Sequence, residues 1–239
     1  MLVVISIGGS ILAKDLKINA YETFISYANV LIKLSEKHKL VIVTGGGSVA
    51  RDYIRLAREV GANEALCDYI GIDVTRLNAK ILISALGCCA YPDIPLTYSE
   101  VKTALLSKDI VVMGGVSPGH STDAVSALTA EYIDADLFLI ATATNGIYSA
   151  DPNVHSNAVK FDEISIKDLL NVINSIELKA GSKSPVDILA VKIIERCNLK
   201  TIVMDGSNPE VVMDTVIDEL KEEENSKQKL LFGTRIRVE

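Results

Sequence analysis

The 239-residue sequence predicts an α/β fold in which a mostly parallel sheet is covered by helices, and three observations carry that expectation. Short runs of Val, Ile and Leu alternate with longer stretches of helical periodicity. The apolar runs show little polar alternation, as expected of strands buried on both faces. Three glycine-rich turns, IGGS at 7–10, TGGGS at 44–48 and GGVSPGHST at 114–122, each follow one of these runs. Turns at the carboxyl ends of parallel strands share one edge, and that edge is where ligands bind.

In chain order, LVVISI at 2–7 reads as the first strand, YETFISYANVLIKLSEKH at 21–38 as a helix and LVIVT at 40–44 as the next strand. A helix then runs from Ser48 to about Val60. The long helical pattern from Asn63 to about Leu86 ends at Gly87, a residue that suits a helix C-terminus. That helix is either a dimer face or a long covering helix. DIVVM at 109–113, DLFLIAT at 136–142 and KTIVMD at 200–205 are further strands, and STDAVSALTAEYI starts a helix that Ser121 or Thr122 caps. The charged stretch at 218–229 reads as a helix end running into a solvated loop. LLFGTRIRVE closes the chain as a hairpin or edge strand turning at Gly233. No linker or internal repeat divides the sequence, so it reads as one domain, 1–239.

Composition excludes several classes of function. A net charge of −7, a pI of about 5.1 and the lack of basic blocks argue against nucleic acid. No apolar run reaches a membrane span, and MLVVISIGGS has neither a basic leader nor a cleavage pattern, so the expected location is the cytoplasm. Cys67, Cys88, Cys89 and Cys197 form no C-x-x-C pair and read as buried thiols in a reducing compartment. His38, His120 and His155 are too scattered for a metal-hydrolase centre, and no G-x-S-x-G elbow is present.

Glycine lets backbone N–H groups approach phosphate oxygens, and a following helix N-terminus adds partial positive charge. One such turn is also an ordinary βα connection; three together point to phosphate. Gly114, Gly119, His120 and Ser121 have the spacing of a P-loop with histidine in the lysine position. A histidine is mostly neutral at pH 7 and does not replace that point charge. The loop therefore suits a monophosphate or a base better than an ATP tail.

IGGSIL at 7–12, VTGGGSVARDYIRLARE at 43–59, DYIGIDVTRLNAKIL at 68–82, MGGVSPGHSTDAVSALTAE at 113–131 and NGIYSADP at 145–152 together resemble the amino acid kinase superfamily, specifically its archaeal-type uridylate kinases. The resemblance covers nearly the whole chain. It implies a three-layer αβα sandwich, an acceptor lobe at about 1–135 and an ATP lobe at about 136–239. It further implies transfer of the γ-phosphoryl of ATP to UMP with Mg²⁺, in pyrimidine nucleotide synthesis, by a homo-hexamer built from dimers. Carried over by position, Gly9, Ser10, Gly47 and Arg51 contact the ATP phosphates, and Thr142, Tyr148 and Asp151 surround the adenine nucleotide. Gly46 faces UMP, Asp68 accepts from its ribose hydroxyls, and Val116, Ser117, Pro118, Gly119, His120, Ser121 and Thr122 wrap the uridylate. No metal ligand is assigned.

Three positions depart from the family pattern. Ser6 stands where many amino acid kinases carry a lysine, so Arg51 is the expected catalytic cation, together with Lys183, which also reads as a flexible surface lysine. Asp187 matches a family aspartate but suits a helix N-cap equally. Ala143 and Asn145 in TATNG replace the residues of TNVDG. Two alternatives remain: an isopentenyl phosphate kinase, whose usual histidine is missing from TGGGSVARDY, and a non-catalytic nucleotide- or oxyanion-binding protein on the same scaffold.

Overall fold

Strand β1 (Leu2–Ile7) pairs in parallel with β2 (Lys39–Thr44) on one side and β4 (Leu137–Thr142) on the other. The computed structural model describes residues 1–13, 20–152, 154–177, 185–221 and 232–238. Beyond β2 lies β3 (Ile110–Met113), and beyond β4 lies β6 (Thr201–Asp205), both parallel to their neighbours. The sheet continues through β7 (Thr234–Arg237) to β5 (Glu163–Ser165), giving the order β3-β2-β1-β4-β6-β7-β5. Ile7 is level with Thr44 and Ala141, and Thr142 with Asp205, so the carboxyl ends of these strands form one even edge.

Both faces of the sheet are covered, which is why its strands read as continuous apolar runs. One core joins Val3, Ile5, Leu40, Ile42 and Leu139 to α2 (Ala20–Ser35), α4 (Glu64–Leu86) and α9 (Pro209–Lys221). The other joins Val4, Val41, Val111, Phe138 and Val203 to α5 (Tyr98–Ala104), α6 (Thr122–Tyr132), α7 (Ile166–Glu177) and α8 (Ile188–Cys197). Each of these fully buried apolar side chains contributes roughly 1.5–3 kcal/mol of burial. The result is the expected three-layer αβα sandwich. Helix α3 (Gly47–Glu59) lies outside it against α4 and buries only Ala50 and Ala57.

Local chemistry sets the helix ends. Asn63 caps α4 by accepting from Leu66 N at 2.9 Å, and Gly87 ends it at φ +57°. Ser121 caps α6 through Ala124 N at 3.1 Å, as expected. Helix α5 was not anticipated, although Thr97 and Glu100 spell a capping signal: Glu100 N donates to Thr97 Oγ1 at 3.2 Å.

Two expectations are corrected. The last strand is not at an edge: β7 pairs antiparallel with β6 and parallel with β5, which forms the edge. It is held inside by Glu219, a nearly fully buried carboxylate that meets Arg235 Nη2 at 2.5 Å and Lys200 Nζ at 2.6 Å. Residues 222–231, including the anticipated solvated loop, lie outside the described residues. Of the thiols only Cys67 is buried; Cys88 is exposed, and Cys89 and Cys197 are half-buried.

Candidate active site

Strands β2 and β3 lie to one side of β1, and β4 and β6 to the other, so the crevice above the carboxyl ends of β1 and β4 is a topological switch point. Four turns meet there. The first, Gly8 to α1 (Gly9–Leu12), is tied to the fourth strand by Gly8 N donating to Ala141 O at 2.9 Å. The second, Gly45 to Gly47, leads into α3 and is tied to the first strand by Gly45 N donating to Ile7 O at 2.9 Å.

These two turns touch backbone to backbone. A Cβ on Gly9 would lie 2.5 Å from Gly46 C and 2.6 Å from Gly45 C. Gly47 has φ +68°, and a Cβ there would lie 2.7 Å from Gly9 C. Only glycine permits this approach, and it brings the Gly9 and Gly47 amides together beside Ser10, which is half-buried. Arg51, one turn into α3, is exposed and pairs with no described residue.

The third turn, 114–121, is fastened to α4 at three points along one helix face. Gly115 N donates to Thr75 Oγ1 at 2.7 Å, Arg76 Nε donates to Gly115 O at 3.2 Å, and Gly119 N donates to Asp68 Oδ2 at 2.8 Å. Asn78 holds the second turn from the same helix, its Nδ2 donating to Gly45 O at 2.7 Å. Helix α4 is thus the wall against which both glycine loops are set. Val116, Ser117, Pro118, Ser121 and Thr122 are half-buried, and Gly119 and His120 are exposed.

On the far side of β1, Thr142 ends β4 and its carbonyl accepts from Gly206 N at 2.8 Å. Tyr27 braces the same turn from below, its buried hydroxyl donating to Gly206 O at 2.5 Å. Desolvation, with a smaller contribution from the Asp205 charge, pushes that phenol well above the usual tyrosine range, so it remains a donor. Tyr148 and Asp151 follow in the loop after β4, and Tyr148 pairs antiparallel with Lys160. Asn145, where the family pattern has a carboxylate, accepts from Gly233 N at 3.0 Å.

At the centre, Ser6 Oγ donates to Asp123 Oδ1 at 2.8 Å. Burial pushes the Asp123 carboxyl up, the Ser6 hydrogen bond opposes this, and the nearby Asp187 charge adds to the rise. Asp187 is the N-cap of α8, its Oδ1 accepting from Leu189 N at 2.6 Å and Ala190 N at 3.1 Å. The N-cap reading of Asp187 is thus borne out, and its charge also acts on Asp123. Sequence reasoning missed Asp123 because an acid in a first helical turn reads as a complement to the helix dipole. Lys183 lies outside the described residues. Among the described residues no group of three or more His, Cys, Asp or Glu could hold a metal ion.

The amino acid kinase family profile matches residues 1–205. A uridylate kinase of Methanococcoides burtonii is 55% identical over 237 residues, covering 99% of each chain. The crystal structure of uridylate kinase from Archaeoglobus fulgidus superposes with a TM-score of 0.84 at 40% identity, covering 99% of this chain and 100% of that one. The UMP kinase structure from Ureaplasma parvum, 21% identical over 99% of this chain and 98% of that one, shares the fold with a TM-score of 0.76.

Proposed function

The chain belongs to the amino acid kinase family, and from that membership we propose that it transfers the γ-phosphoryl of ATP to UMP, giving UDP for pyrimidine nucleotide synthesis. The observation that carries this reading is the placement of two glycine turns in backbone contact over the switch point. A loop anchored to Asp68 stands on one side and the loop after β4 on the other.

The acceptor lobe is residues 1–135 and the donor lobe 136–239. Gly46, Asp68, Val116, Ser117, Pro118, Gly119, His120, Ser121 and Thr122 hold UMP. Gly9, Ser10, Gly47, Arg51, Thr142, Tyr148 and Asp151 hold ATP. Mg²⁺ would be held chiefly by the phosphate oxygens of ATP and would neutralise part of their charge. Mg²⁺ in kinase sites takes one or two carboxylates and relies otherwise on phosphate oxygens.

The nucleophile, a phosphate oxygen of UMP, is already ionised at neutral pH because its second pKa is about 6. No general base is needed. The protein must instead hold two polyanions in line and neutralise charge, work suited to amides, Arg51 and Lys183. Ser6 cannot supply a charge; it orients Asp123. The exposed Leu66, Tyr69, Leu77 and Ile81 of α4, Tyr53 and Leu56 of α3 and Val60 at the end of α3 suit a subunit contact, in keeping with a hexamer built from dimers. Among the described residues no helix is long and apolar enough to cross a membrane, and we place the enzyme in the cytoplasm.

The test is ADP release with Mg²⁺-ATP, comparing UMP with CMP, AMP, GMP, dUMP and isopentenyl phosphate. Turnover that strongly favours UMP is the expected result. Turnover with isopentenyl phosphate alone, or binding of UMP and ATP without ADP release, overturns it in favour of one of the two alternatives.

A further inference from the structure

The first two residues of the described C-terminal segment to enter the last strand's turn, Gly233 and Thr234, lie beside the loop that follows β4. Thr234 is fully buried. Its single hydroxyl accepts from Ile147 N at 2.8 Å and donates to Phe161 O at 2.5 Å. Ile147 and Phe161 also pair directly, Phe161 N donating to Ile147 O at 2.9 Å, and Ser149 N donates to Val159 O at 2.9 Å. These bonds form a short antiparallel ladder that closes the segment carrying Tyr148 and Asp151. Gly233 binds it twice more: its N–H donates to Asn145 Oδ1 at 3.0 Å, and its carbonyl accepts from Lys160 Nζ at 3.0 Å.

The fit leaves no slack. Gly146 adopts φ +97°, and a Cβ there would lie 3.0 Å from Gly233 C. Thr234 therefore satisfies one donor and one acceptor on opposite strands of the ladder, and a buried amide or carbonyl left without such a partner costs about 1–3 kcal/mol. Loss of the hydroxyl is relieved most readily by movement of the loop itself.

We propose that Gly233 and Thr234 form a clamp that fixes the donor-nucleotide loop, with Thr234 and Asn145 as positioning residues for ATP. The inference rests on the reading above that Tyr148 and Asp151 face ATP. The side chains of the clamp do not touch the nucleotide in this reading; they act through the loop. Asn145 thus has a role of its own, in which its amide oxygen anchors the last strand.

The experiment is calorimetric titration of the full chain, separately with ATP and with UMP, for Thr234→Val, Thr234→Ser, Asn145→Ala, Asn145→Asp and Tyr148→Ala. Thr234→Val is expected to raise the ATP Kd about tenfold and Asn145→Ala about threefold, each with an unchanged UMP Kd. Thr234→Ser and Asn145→Asp keep the required oxygen atoms and should bind ATP as the parent does. If Thr234→Val does not fold, the Asn145 pair decides. An unchanged ATP Kd in Asn145→Ala and in folded Thr234→Val, with Tyr148→Ala weakened, overturns the clamp and leaves the donor-site reading standing. Equal weakening of ATP and UMP also overturns it, as general loosening. An ATP Kd unchanged by Tyr148→Ala overturns the clamp and the donor-site reading together.

Discussion

Asp68 Oδ2 accepts a hydrogen bond from Gly119 N at 2.8 Å, joining the first half of α4 to the tip of the loop 51 residues further along the chain. This carboxylate therefore shapes the loop, and in the proposed reaction its remaining lone pairs would accept from the ribose of UMP. Asp68→Ala should raise the UMP KM roughly 10- to 100-fold, the range for loss of hydrogen bonds to a charged group. Asp68→Asn retains an acceptor for Gly119 and should fall between. Initial rates against UMP at saturating ATP decide it; an unchanged UMP KM in Asp68→Ala removes the ribose role.

Arg51 stands exposed one turn into α3, beside the paired glycine turns, with no described ion-pair partner to satisfy it. In the proposed reaction a cation in that position would be available to the nucleotide phosphates. Arg51→Ala should lower kcat/KM roughly 100-fold, as removal of a donor to developing charge does. Arg51→Lys retains charge but loses the two-pronged geometry and should recover only part of the rate. Steady-state kinetics with circular dichroism as a fold control make the comparison.

The contact between Gly9 and the second turn predicts a steric failure. A Cβ on Gly9 has nowhere to go but into the backbone of Gly45 and Gly46. Gly9→Ala should destabilise the protein by about 1–3 kcal/mol, as overpacking does, and abolish turnover because both glycine turns proposed to hold phosphate shift. Gly61 has φ +95° with nothing within 4 Å of its absent Cβ. Gly61→Ala should cost about 1–2 kcal/mol from backbone conformation alone, with turnover retained. Urea unfolding and activity assays on the two variants separate strain at the site from strain elsewhere.

Asp123 gives a prediction in pH. Burial raises its folded-state pKa above that of the unfolded chain, so the folded state holds this proton more tightly. Stability from this group is present at pH values below the unfolded carboxylate range and is lost as pH rises through the folded pKa. Above the unfolded carboxylate range this group is then a liability to the folded state. Asp123→Asn, which can still accept from Ser6, should melt at a higher temperature than the parent at neutral pH. The difference should shrink as pH falls into the ordinary carboxylate range, and melting curves across that interval test it.

Much of this architecture was legible before any coordinates. The strands LVVISI and LVIVT recur as β1 and β2 almost to the residue, because strands covered on both faces must be apolar throughout. The stop at Gly87 and a cap at Ser121 or Thr122 are equally plain in the sequence, since both depend on neighbours within a few residues, and the structure selects Ser121. The family motifs pointed to Asp68, Arg51 and the 116–122 loop as a group. The edge reading of the last strand failed for a physical reason. TRIR is short and polar enough for an edge, and the carboxylates of Glu219 and Glu163, which meet Arg235 and Arg237 from elsewhere in the chain, make it acceptable inside.

The sequence by itself determined the layered α/β fold, the three glycine turns and the residues able to face phosphate, since hydrophobic period, caps and glycine geometry are written locally. Tertiary structure decided which turns touch and which side chains hold them. Gly9 against Gly47, Asp68 at Gly119, Ser6 at Asp123 and Thr234 between Ile147 and Phe161 all join residues far apart in the chain. Their partners are chosen by strand order and by the need of each buried polar group to find one, and neither leaves a periodic trace in the residues alone.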